Sequence, residues 1–183
     1  LLCSAPMLIA MTGATGFIGT YLARALAGAG HDLRMLVRPG REHALPTFGG
    51  VERREHIGDL ADGDSLKGFL KDADLLMHLA SARDHFNDAE MRAINIDGTE
   101  ILIKEAKKAE SMLPGRQKFQ FWIISSAVIG APVYSYYRDT KRIQEKLVRA
   151  SQLDWVSFRP TLVYGIGDQR HTAPLFQRCA AKS

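Results

Sequence analysis

Three glycines, Gly13, Gly16 and Gly19, follow the apolar run "MLIAM" at regular spacing and lead straight into "FIGTYLARALAGAG". Glycine gives up more conformational freedom on folding than any other residue, so a regular cluster of it marks a place where a side chain would obstruct something. "LIAMT" reads as a buried strand and "GFIGTYLARALAGAG" as an amphipathic helix ending at glycine. Glycines three apart at the junction of a first strand and a first helix permit a tight turn, close approach of a pyrophosphate and close helix–sheet packing. The phosphate charge then meets the positive end of the helix dipole. The turn is read as a dinucleotide cradle. A glycine triplet by itself also suits an α/β protein that binds no nucleotide, so the neighbouring elements have to decide.

Those elements alternate. After the first strand and helix come "DLRMLVR" as a strand, "VERREHIGD" as a weaker strand, "DSLKGFLKDA" as a helix and "DLLMHLA" as a strand. "AEMRAINIDGTEILIKEAKKA" follows as one long helix, then "FQFWIISSA" as a strand, "YYRDTKRIQEKLVRAS" as a helix and "DWVSFRPTLV" as a strand. Strand–helix alternation implies a parallel sheet covered on both faces. With the glycine turn it predicts an α/β, Rossmann-type doubly wound fold of three αβα layers, strand order 3-2-1-4-5-6, with a cofactor across the carboxyl ends of the strands. Residues 7–166 are assigned to this NAD(P)-binding domain.

Composition excludes several alternatives. The chain has 183 residues, 46% of them hydrophobic and 24% charged, the profile of a globular protein with a real core. A net charge of +4 is scattered, and its densest cluster, "KEAKKAE", is diluted by glutamate into a solvated helix face, so no nucleic-acid partner is expected. Cys3 and Cys179 lie near opposite ends and the six histidines are dispersed, which predicts no metal and a reducing, cytoplasmic compartment. "LLCSAPMLIAM" has no basic leader, and no apolar run reaches membrane-spanning length. The first residue is not Met, so Leu1 to Pro6 reads as a tag remnant or a product of processing, with Met7 as a natural start.

"TGATGFIG", Thr12 to Gly19, resembles the TGxxGxxG fingerprint of the short-chain dehydrogenase/reductase superfamily, in its extended and atypical, NAD-dependent epimerase/dehydratase-like branches. The resemblance implies cofactor contacts from Gly13, Thr15, Gly16, Phe17, Ile18 and Gly19. "GDL" resembles the turn after the third strand, where Asp59 would contact adenine beside Leu60. "HLASA" resembles the end of the fourth strand, where Leu79, Ala80 and Ser81 would pass the nicotinamide ribose, with His78 a packed histidine. In "NIDGT", Asn95 would tie helix to sheet and Gly98 would permit close packing. "FRPTLVYGIGD" would bring Pro160 and Val163 to the nicotinamide pocket, and the resemblance implies that 167–183 are the start of the C-terminal substrate-binding region that extended relatives carry.

The acid–base chemistry is expected on "YYRDTK". Tyr137 and Lys141 stand four apart, so on a helix they share a face, and a nearby ammonium lowers a phenol's pKa from about 10 toward one useful for proton transfer. Lys141 would also hold the nicotinamide ribose. The family places a serine or threonine at the end of the preceding strand. Ser126 is preferred on strand position, although counting back from Gly130 favours Ser125. The predicted catalytic set is Ser126, Tyr137 and Lys141. The short Ser126–Tyr137 gap departs from typical epimerases and is similar to atypical members, some of which bind cofactor without known turnover.

Arg38 closes the second strand where an NAD enzyme usually carries an acid. With Arg41 it can grip a 2′-phosphate, so NADP(H) is expected over NAD(H). The expected function is oxidoreductase or epimerase/dehydratase-like chemistry on a small molecule, a nucleotide sugar or another carbonyl or hydroxyl compound. The alternative is a non-catalytic NADP(H)-binding module acting as sensor, regulator or structural subunit. The long helix and the Tyr–Lys helix are expected side by side, a pair through which many relatives form homodimers.

Overall fold

The computed structural model describes residues 5–83, 86–113, 118–132 and 134–168. Six strands, β1 (Leu8–Thr12), β2 (Asp32–Val37), β3 (Arg53–Ile57), β4 (Leu75–His78), β5 (Gln120–Ile124) and β6 (Asp154–Phe158), form one sheet in the order β3-β2-β1-β4-β5-β6. All five pairings are parallel, with Ile9 opposite Leu33 on one side and Leu75 on the other. The expected order and direction are those observed.

Both faces of the sheet are covered, as the period of a strand requires. Along β1, Ala10 joins one apolar cluster, while Ile9 and Met11 join the other; β4 divides in the same way, with Leu76 against Leu75 and Met77. Helix α1 (Phe17–Gly28) adds Ala23 and Leu26 to the Ile9–Met11 side. On the opposite side, Leu102 of α3 (Gly98–Glu110) and Val148 of α4 (Tyr136–Ala150) pack with Phe69, Phe119 and Phe121. Each of those three phenylalanines is fully buried, worth about 1.5–3 kcal/mol apiece in transfer from water.

Two elements differ from the sequence expectation. "DSLKGFLKDA" does not form a helix: Asp64–Leu66 make a single 3₁₀ turn, and the hydrogen bonds that follow, Phe69 N to Leu66 O and Lys71 N to Gly68 O, span three residues rather than four. Gly68 adopts φ +74°, a left-handed conformation that stops a helix, while Leu66, Phe69 and Leu70 still bury in the core. The long helix does run from residue 88 to 110, but in three parts: α2 (Asp88–Arg92), a π turn (Ala93–Asp97) and α3. Its start is a capping box in which the Asn87 side chain accepts from Glu90 N and the Glu90 carboxylate accepts from Asn87 N, each at 2.9 Å. The predicted C-terminal region falls largely at 169–183, outside the described residues.

Candidate active site

The glycine turn closes on itself and on β4. Gly13 takes φ +75°, and a Cβ there would stand 2.7 Å from Ala80 N, so the turn can lie against the end of β4 only without a side chain. A Cβ on Gly19 would come within 2.1 Å of Gly13 O, which places α1 hard against the turn; one on Gly16 would stand 3.2 Å from the same oxygen. Gly16 is the residue before α1. No side chain caps the helix there, and its first turn carries no acid. An uncapped helix start facing a cleft suits a phosphate. These features fit a bound dinucleotide, whose phosphates the turn of Gly13, Thr15, Gly16, Phe17, Ile18 and Gly19, all on the cleft, would hold.

The cleft, about 1210 Å³, runs across the carboxyl ends of the strands. Arg38 and Arg41 reach it after β2, and Asp59 and Leu60 after β3. Leu79, Ala80 and Ser81 line it after β4, Ser125 and Ser126 after β5, Tyr137 and Lys141 from α4, and Pro160 and Val163 after β6. Every residue singled out from the sequence as a cofactor or catalytic position therefore opens on one cavity. Its walls are tied together. Asn95 accepts from Ala82 N at 2.8 Å and donates to Ala82 O and Thr140 Oγ1, both at 3.0 Å, joining the β4 loop, the π turn and α4. Pro160 O accepts from Ala127 N at 3.0 Å, joining the loops after β5 and β6.

Lys141 is 2% exposed, and its Nζ donates to Ile124 O at 2.8 Å and to Gln144 Oε1 at 2.5 Å. Gln144 Nε2 must then face the other way, donating to His78 Nε2 at 3.0 Å and to Thr99 Oγ1 at 2.9 Å. That makes His78 Nε2 an acceptor and leaves the ring proton on Nδ1, which lies 2.6 Å from Thr12 Oγ1. Burial pushes the Lys141 ammonium down to about 7, against a smaller upward pull from the Glu145 charge. Burial also drives His78 down to about 3, helped by the charge of Lys141. His78 is a neutral, packed histidine.

The two serines differ. Ser125 is buried and donates to Glu145 Oε2 at 2.8 Å. Burial pushes the Glu145 carboxyl up, but hydrogen bonds from Arg159 and Ser125, with the charges of Arg159 and Arg149, outweigh it and hold the group at about 2. Ser126 is less buried and caps a short 3₁₀ turn, its Oγ accepting from Val128 N at 3.3 Å. That bond uses a lone pair and leaves the hydroxyl proton available to the cleft.

Sequence reasoning missed three members of this region. Glu145 and Gln144 sit on the inward stripe of α4 with Thr140, Lys141 and Val148. A helix whose buried stripe is mostly polar was visible in the sequence and signals a hydrogen-bonded interior rather than an apolar one. The third is Arg83, which lines the cleft with its Cζ 5.6 Å from the centroid of the Tyr137 ring. Among the described residues no group of three or more His, Cys, Asp or Glu is arranged to hold a metal ion, and no helix is long and apolar enough to cross a membrane.

Residues 9–183 match the NAD dependent epimerase/dehydratase family, and the chain belongs to that family. It is 33% identical over 172 residues to a ceramide reductase of Caulobacter vibrioides, covering 94% of this chain and 51% of that protein. It is 24% identical over 200 residues to a 3-beta-hydroxysteroid dehydrogenase of Mycolicibacterium neoaurum, covering 94% and 52%. The chain thus spans about half the length of these curated relatives. Among solved structures, the Bordetella bronchiseptica enzyme WbmH in complex with NAD+ superposes with a TM-score of 0.80 at 22% identity, covering 98% of this chain and 64% of that one; the likeness is one of fold.

Proposed function

We propose that this chain forms the cofactor-binding and acid–base half of an NADP(H)-dependent oxidoreductase or epimerase-like enzyme acting at a carbonyl or hydroxyl carbon. The observation that carries the reading is that the uncapped start of α1 and the Tyr137–Lys141 face of α4 open on the same cleft. Gly13, Gly16, Gly19 and Arg38 would hold NADP(H), which would supply or take the hydride when bound. Tyr137 gives or takes the proton at the substrate oxygen, Ser126 donates a hydrogen bond to that oxygen, and Lys141 holds the nicotinamide ribose. The ceramide reductase and steroid dehydrogenase relatives support carbonyl–hydroxyl chemistry. The substrate class is a small carbonyl or hydroxyl compound, nucleotide sugars included.

The preference for NADP(H) rests on Arg38 and Arg41, which reach the cleft and pair with no carboxylate among the described residues. The nearby Glu42 accepts instead from Gly40 N at 3.1 Å within its own turn. Calorimetry of the full-length protein should show NADPH binding more tightly than NADH, and Arg38→Ala should remove most of the difference. Equal affinities for the two cofactors would discard the preference.

Tyr137→Phe keeps the ring and removes the proton. It should leave NADPH affinity intact and cut turnover against a carbonyl panel on the order of a hundredfold. One observation favours a second reading, a cofactor-binding module without turnover: both bonds from Lys141 Nζ run into the helix–sheet interface. Full turnover in Tyr137→Phe, or none in the wild type with any carbonyl, would put that reading ahead. We further propose a reducing, cytoplasmic setting and a homodimer through α3 and α4, on whose outer surface Ile143 is exposed. A monomeric mass in light scattering would dispose of the dimer.

A further inference from the structure

We propose that Tyr21 latches the loop after β6 across the cleft and so gates the entry and exit of the dinucleotide. The proposal rests on the reading of the cleft as an NADP(H) site, and its test uses cofactor binding and amide exchange rather than turnover.

The loop is tied down at two points. Where it leaves β6, Pro160 O accepts from Ala127 N at 3.0 Å, which joins it to the segment after β5. Farther along, Ile166 O accepts from the Tyr21 hydroxyl at 2.7 Å, which joins it to α1, 145 residues away in the chain. Helix α1 begins at the turn after β1, and β6 lies three places from β1 in the sheet. At about 4.8 Å per strand, a loop anchored at both has to cross about 14 Å of sheet edge, over the carboxyl ends of β5 and β4. The cleft lies there. Thr161, Val163, Ile166 and Gly167 of the loop line it together with Tyr21 and the glycine turn.

The crossing fits closely against α1. A Cβ on Gly165 would stand 3.5 Å from Phe17 Cζ and one on Gly167 4.0 Å from Phe17 Cδ2, so the ring lies against bare backbone. The Phe17 and Tyr21 rings meet edge to face with centroids 5.7 Å apart, which orients the phenol. Asp168 N donates to Gly165 O at 3.0 Å and closes a turn around Ile166, with Gly167 at φ +89°. The Ile166 side chain is exposed, so the residue is held by its carbonyl.

The latch is made wholly of the chain's own atoms, and neither Tyr21 nor Ile166 is among the cofactor contacts expected of this cleft. A contact that does not discriminate between the free and the loaded protein leaves affinity unaltered. It can still raise the barrier to passage in both directions, because the loop has to release α1 before a dinucleotide can pass beneath it. Entry and exit then slow together. A hydrogen bond between neutral groups at the surface has a modest net worth, which corresponds to a factor of about three to ten in rate. Tyr21 is thus a positioning residue that acts through the loop.

The test is stopped-flow fluorescence of NADPH with the full-length protein and its Tyr21→Phe variant, which keeps the ring against Phe17 and removes the hydroxyl. Association and dissociation rate constants should both rise about threefold to tenfold, while their ratio changes by less than about twofold. Gly167→Ala, strained at a left-handed φ, should act in the same direction from the loop side. In the absence of NADPH, the Asp168 amide should exchange with solvent faster in Tyr21→Phe than in the wild type. Unchanged rate constants in Tyr21→Phe, or an Asp168 amide that exchanges no faster, overturn the gate. Faster dissociation alone, with affinity falling in proportion, overturns it too, since that is the behaviour of a direct cofactor contact. A wild type that binds neither NADPH nor NADH overturns the cofactor reading and the gate with it, whereas binding with rates insensitive to Tyr21 overturns the gate alone.

Discussion

Lys141 illustrates how one side chain can line a cleft at a cost in stability. It is buried, its two described bonds go to neutral acceptors, and its folded pKa of about 7 lies well below the value near 10.4 of an unfolded lysine. Between those values the unfolded chain binds the extra proton, so stability attributable to this residue rises with pH from about 7 to about 10.4, and the burial penalty is present in full below 7. Lys141→Met removes the titration. The variant should gain stability over the wild type at pH 6, lose that advantage as the pH approaches 10, and bind NADPH more weakly throughout. Urea unfolding at several pH values checks the first two; a stability difference that does not change with pH would show that Lys141 is not buried as an amine. Helical spacing places its partner Gln144 on the inward polar stripe of α4 but does not reveal what Gln144 bonds. Tyr137 and Lys141 stand out because their separation matches one helical turn, whereas the importance of Gln144 depends on His78, which is 66 residues away.

At the level of elements, legibility followed how locally each structure is determined. Helix α1 and strands β1 and β2 are encoded by adjacent residues: an apolar run, a glycine turn, a 3.6-residue stripe and a terminal glycine. The segment after β3 has helical periodicity too, yet Gly68 turns left-handed within it and the apolar residues bury without a helix. The π turn at Ala93–Asp97 was equally hidden, because it accompanies long-range ties: Asn95 to Ala82 and Thr140, and Gly98 against Leu60, where a Cβ would stand 2.8 Å from Leu60 O. Such a widened turn is often found at functional sites. The glycine turn makes the sharpest prediction at this scale. Gly19→Ala would drive its methyl into Gly13 O, forcing α1 away from β1 and spoiling the cradle. NADPH affinity should fall by at least about tenfold, with melting temperature lowered by several degrees. An Ala variant that binds as wild type would mean that α1 does not need this contact. Gly28, where a Cβ would meet nothing within 4 Å, provides the matched control.

Across the whole molecule, one buried polar network links β1, β4, the long helix and α4 through Thr12, His78, Thr99, Gln144 and Lys141. A second, Ser125–Glu145–Arg159, links β5 to α4 and to the segment following β6. Both respond to acid in the same direction. His78 has a folded pKa of about 3 against about 6.5 unfolded, so the unfolded state binds its proton first and stability falls as pH drops from 6.5 toward 3. Glu145, at about 2 folded against about 4.3 unfolded, contributes stability above that unfolded value and loses it as pH falls toward 2. The windows overlap near pH 3–4, where unfolding free energy should decline most steeply, but between pH 6.5 and 5 the histidine acts before the glutamate. His78→Gln retains a donor and an acceptor without a titrating ring. In that interval its stability should depend less on pH than the wild type's, by up to about 1.4 kcal/mol per pH unit. Because the histidine bonds both the strand beneath the glycine turn and, through Gln144, the lysine of the cleft, acid should weaken NADPH binding along with the fold, and His78→Gln should blunt that loss too. Parallel stability slopes for the two proteins from pH 6.5 to 5 would place the acid-sensitive group elsewhere.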